Sequence, residues 1–106
     1  MKEGYIYFEN INQLLQGTPE KSIVSRNVVK NDKTDITLFD FAAGQEMTEH
    51  KSSHAAIINI LSGEAVIILG EDSVKAIAGT FIYMPPEMPH SLTTVSGFSM
   101  LLTLIK

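Results

Sequence analysis

Residues 55–84 read AAIINILSGEAVIILGEDSVKAIAGTFIYM, a succession of short apolar runs cut by turn residues. Val66–Leu69 and Val74–Ile77 flank Gly70-Glu71-Asp72-Ser73, which reads as a hairpin loop. Thr80–Met84 is a further short run, held between Gly79 and the Pro85-Pro86 stop. Upstream, the β-branched run Ile23, Val24, Val28 and Val29 ends at Asn31-Asp32-Lys33, and Thr34–Phe41 alternates before stopping at Gly44. Downstream, Leu92–Val95 and Phe98–Ile105 flank the tight turn Ser96-Gly97. The whole predicts about eight to ten short strands with turns roughly every 8–12 residues, the pattern of an all-β sandwich or barrel. Ahead of them, a short helical turn is expected around Ile11–Gln16, closed by Gly17 as a C-cap.

Composition narrows the classes. A chain of 106 residues is one domain, and 44% apolar against 19% charged residues is enough to build a core. Eight Lys and Arg against twelve Asp and Glu give a net charge of -4, which argues against nucleic acid or an anionic membrane as partner. With no cysteine, disulfides, thiolate nucleophiles, Cys-type zinc sites and iron–sulfur clusters are excluded. No apolar run reaches the roughly 18 residues of a membrane span, and the start MKEGYIYFEN carries no signal-peptide core. A soluble cytoplasmic protein is the expectation. Ala55–Leu61 and Ser99–Ile105 are apolar on both faces, so one side needs a cover beyond the second sheet. The simplest cover is a second copy of the chain, and a homodimer is expected.

Chemistry centres on the three histidines, His50, His54 and His90. Imidazole is the commonest nitrogen ligand for transition metals and titrates near neutral pH. The first two lie in Gly44-Gln45-Glu46-Met47-Thr48-Glu49-His50-Lys51-Ser52-Ser53-His54, the third in Met84-Pro85-Pro86-Glu87-Met88-Pro89-His90. Gly44, five residues, His50 and then Gly63 resembles the first motif of the cupins, G-x5-H-x-H-x3-4-E-x6-G. Gly79, five residues, Pro85 and then His90 resembles their second motif, G-x5-P-x-G-x2-H-x3-N. The resemblance places motif one at about 44–63 and motif two at about 79–94 of a single domain spanning 1–106. It implies an antiparallel jelly-roll β-barrel, commonly dimeric, with motif histidines and a glutamate around one divalent metal in the barrel mouth.

The departures are as informative. Ser52 stands at the second motif histidine, Ala56 at the glutamate, Glu87 at the second motif's glycine and Thr94 at its asparagine. Of the family's four ligands, His50 and His90 keep their places. His54 offers a stand-in, since in a continuous strand it shares a face with His50, Ser52 and Ala56. Four extended residues span roughly 13 Å, whereas metal–nitrogen bonds are about 2.0–2.1 Å. A His50–His54 pair therefore needs a bend, for which Ser52-Ser53 is the place. A helix over Glu49–Ser62 would instead bring the two histidines one turn apart, but Ile57-Ile58-Asn59-Ile60 is β-branched and keeps to no stripe.

Two functions follow from different classes. One is a metal-dependent small-molecule cupin, with His50, His54 and His90 holding a divalent transition metal (Mn, Fe, Zn, Ni or Cu) and Ser52 and Met88 in the pocket wall. That metal would activate O2, polarise a carbonyl or enolise a substrate. The other is a metal-free ligand-binding or sensing module that has lost the usual ligands. A third, an epimerase-like enzyme using His50 or His90 as base, lacks a clear acid partner. Met47, Met84, Met88 and Met100 are candidates for an apolar pocket, Met88 foremost because it shares parity with His90.

Overall fold

A computed structural model describes residues 4–15 and 17–106. After a 3-10 turn at Ile11–Leu14 come nine strands: β1 Ile23–Lys30, β2 Thr34–Phe41, β3 Glu46–His50, β4 Ala55–Ser62, β5 Glu64–Leu69, β6 Asp72–Ile77, β7 Phe81–Met84, β8 His90–Thr94 and β9 Phe98–Ile105. They form a five-stranded sheet in the order β1-β2-β9-β4-β7 and a four-stranded sheet in the order β3-β8-β5-β6. Every pairing is antiparallel, and the two sheets pack as a jelly-roll barrel. Among the described residues, no helix is long and apolar enough to cross a membrane.

Alternation builds the core. Ala56, Ile58 and Ile60 of β4, Ala65 and Ile67 of β5, and Ile82 and Met84 of β7 are all buried. They meet Phe41, Phe98, Met100 and Leu92 in one cluster. Phe41 and Phe98, paired across β2 and β9, set their rings 5.8 Å apart in an edge-on arrangement. Each such side chain contributes roughly 1.5–3 kcal/mol by leaving water.

The chain changes sheets at Gly63, between β4 and β5. Its φ of +84° lies in the left-handed region, and a Cβ there would overlap the Gly97 carbonyl oxygen. Glycine is therefore required twice over.

Several expectations are refined. The 3-10 turn stops at Leu14 with Asn10 as N-cap, its side chain accepting from Asn12 N at 3.0 Å. Leu15 rather than Gly17 is the C-cap, and Gln16 lies outside the described residues. The hairpin loop shrinks to Gly70-Glu71, because Leu69 pairs with Asp72; Gly70 at φ +62° makes so short a loop possible. The helical alternative over Glu49–Ser62 is overturned, since Ala55–Ser62 is a strand with partners on both sides. Leu38, on the outer side of β2, is 3% exposed and shares a groove with Leu14 and Leu15 of the N-terminal segment.

Candidate functional site

β3 and β8 lie side by side at one edge of the four-stranded sheet. Met47 pairs with Leu92, and His50 with His90, so two residues of β3 (Thr48 and Glu49) face one of β8 (Ser91). This is a β-bulge. In a regular strand Met47 and His50, three positions apart, would point to opposite faces. The bulge lets both line the cavity between the sheets.

The bulge also brings the two imidazoles into contact. His50 and His90, forty residues apart in sequence, set their ring centroids 4.1 Å apart at an interplanar angle of 61°. Each ring is held by its own strand. His50 Nδ1 lies 2.9 Å from Thr48 O, and His90 Nδ1 lies 2.9 Å from Met88 O. A carbonyl oxygen only accepts, so each Nδ1 carries a proton, and in the neutral form of either ring the lone pair lies on Nε2. An outer bond of this kind orients an imidazole and raises the basicity of its other nitrogen.

The cavity beneath the pair measures about 30 Å3, room for roughly two waters. Apart from Ser91 of β8, the rest of its wall is apolar: Ile58 and Leu102 from the five-stranded sheet, Ile67 and Leu92 from the four-stranded one. Met47 and Met100 add a thioether from each sheet. Among the described residues no carboxylate lines it. His50 is exposed, which puts it at the opening.

The other sequence-predicted residues lie elsewhere. β3 ends at His50, and the chain bends before β4, so the shared face of His50, Ser52, His54 and Ala56 does not exist. The bend falls at the place the sequence suggested, but it serves the backbone: Ser52 Oγ accepts from His54 N at 3.0 Å. Ser52, His54 and Met88 are not among the cavity-lining residues, although Met88 packs against the core cluster. Ala56, where the cupin motif has glutamate, is 3% exposed and presents only a methyl group.

Among the described residues no three His, Cys, Asp or Glu side chains form a group that could hold a metal ion. The structure thus brings His50 and His90 together and leaves His54 outside. Two neutral imidazoles without a carboxylate do not fit the four-ligand divalent centre usual in this fold family.

Comparison with known proteins agrees with this architecture. The family model of the cupin domain matches residues 37–105, and the chain belongs to the cupin family. Among solved structures it is similar to a conserved protein of unknown function from Streptococcus pyogenes, at 30% identity and a TM-score of 0.84, covering 100% of this chain and 90% of that one. A cupin superfamily protein from Desulfitobacterium hafniense is 25% identical with a TM-score of 0.82, covering 86% and 84%. The DMSP lyase DddQ from Ruegeria pomeroyi shares the fold alone, at 20% identity and a TM-score of 0.74, covering 79% of this chain and 47% of that one. No curated protein matches. Cupins include binding proteins and enzymes of several kinds, so the family leaves the activity to be argued from the site.

Proposed function

We propose that the protein is a ligand-binding cupin whose cavity takes a small occupant gripped by His50 and His90. The observation that carries this reading is the pair of bonds from Nδ1–H to the Thr48 and Met88 carbonyls. They commit one nitrogen of each ring to the scaffold and leave two Nε2 lone pairs beside an apolar cavity. Two adjacent acceptors select an occupant with positive character: a hydroxyl, an N–H or a metal ion. A cavity of about 30 Å3 seats the head of such a ligand, and any larger body extends past the exposed His50. Proton abstraction by either histidine has a base at hand but, among the described residues, no acid partner in the cavity walls. Binding is therefore the reading with most support.

A second copy of the chain covers the outer face of β4, β7 and β9. Ile57 faces Tyr83 and Thr103 there, and Asn59 faces Phe81 and Leu101. None of these six is charged, and Phe81 and Tyr83 are 61% and 54% exposed. A homodimer through this face supplies the missing cover.

Thermal-shift measurements test the pocket. Wild type and His90→Phe are compared against small alcohols, phenols, primary amines and metal chlorides. Compounds that raise the wild-type Tm by several degrees and leave His90→Phe unmoved support the reading. A panel to which both proteins respond alike contradicts it.

A further inference from the structure

We infer that the occupant of this pocket is a soft monovalent cation, copper(I), held by Nε2 of His50 and His90 with the thioether sulfurs of Met47 and Met100. The inference rests on the pocket reading above and names its ligand.

The donor set points to it. Met47 and Met100 line the same small cavity as the two histidines and approach from opposite sheets. Met47 arrives there through the β3 bulge, without which it and His50 would face apart. Methionine has three rotatable bonds, so its sulfur adapts to an ion's position. Thioethers are soft donors that select copper(I), and imidazole binds copper in either class of site.

Charge points the same way. All four donors bind as neutral groups, and among the described residues no carboxylate lines the cavity. The cost of moving an ion out of water rises with the square of its charge, so a divalent ion is penalised about four times as heavily as a monovalent one. The family's glutamate would offset the second charge; here that position is the buried Ala56. Ile58, Ile67, Leu92 and Leu102 offer no oxygen in its place, and Ser91, the remaining lining residue, carries no charge to offset the ion's. The site that suits a divalent metal poorly thus suits a soft monovalent one. A methionine filling a core gap has the same shape, and the chemistry of its sulfur separates the two roles.

The test is an anaerobic titration of untagged protein with copper(I) against a coloured copper(I) chelator. Met47→Leu and Met100→Leu keep side-chain volume and remove sulfur. The expected result is one copper(I) per chain, weakened roughly tenfold or more by either methionine variant and unaffected by His54→Ala. X-ray absorption of the copper-loaded protein should show a sulfur neighbour that the double methionine variant lacks. The inference is overturned if that double variant binds copper(I) as wild type does, if zinc(II) displaces copper(I), or if no copper(I) binds. Should copper(I) fail while alcohols or amines still give His90-dependent thermal shifts, the copper assignment falls alone. Failure of both removes the pocket as well.

Discussion

Glu87 donates its backbone N–H to the Ser52 carbonyl at 2.7 Å. This bond ties the bend that follows His50 to the loop that precedes His90, so the two arms presenting the imidazoles are clasped just outside the pair. Glu87 makes the bond at φ +70°, in the left-handed region. The related cupin motif has glycine at this position, and the backbone keeps the glycine conformation after the residue has changed.

Strain at that position should be relieved by restoring the glycine. A non-glycine residue in left-handed geometry costs about 1–2 kcal/mol, partly offset by the greater freedom glycine gives the unfolded chain. Glu87→Gly is expected to stabilise the protein by about 1 kcal/mol in urea unfolding, with an unchanged slope. A loss of stability would show that the Glu87 side chain contributes more than its backbone costs.

Thr94 replaces the motif's asparagine and has become a structural knot. It is 2% exposed. Its hydroxyl accepts from Gln45 N and donates to Ala42 O, each at 2.8 Å. Thr94→Val keeps the shape and strands both partners, so a loss of about 2 kcal/mol is expected. Thr94→Ser should recover most of it. A Thr94→Val variant as stable as wild type, with the loss confined to Thr94→Ser, would mean that packing of the methyl, rather than the hydroxyl, matters.

Light scattering coupled to size-exclusion chromatography reads the proposed dimer. Wild type should run at twice the 11.7 kDa chain mass, and the double variant Phe81→Glu, Tyr83→Lys as a folded monomer. The two side chains are mostly exposed within one chain, so folding should be spared. A monomeric wild type, or a dimer that survives the double change, contradicts the covered face.

Much of the barrel was legible in the sequence, for physical reasons. The runs Thr34–Phe41 and Phe98–Ile105 matched their strands to the residue, because short apolar-rich runs bounded by turn residues have few other solutions. β3 was not legible. Its five residues, EMTEH, carry one apolar side chain, and its pairing with β8 comes from long-range register rather than local propensity. The parity argument that set His54 beside His50 failed for the same reason: it assumed an unbroken strand where the chain bends away toward the other sheet. Parity also favoured Met88 over Met47 for the pocket, and one extra residue in β3 reversed that order. A bulge leaves no reliable mark in sequence. Its only trace here was the odd spacing between two residues that both suit a cavity.

The central claim is that His50 and His90 form one site, each with Nδ1 protonated and Nε2 free. Selective 15N-histidine labelling and two-bond proton–nitrogen correlation spectra of the copper-free protein measure this directly at mildly alkaline pH. Nδ1–H tautomers are expected for both residues, with cross-relaxation between their ring protons and none of the pair's contacts extending to His54. An Nε2–H tautomer at either residue, or rings with no mutual contact, would contradict it.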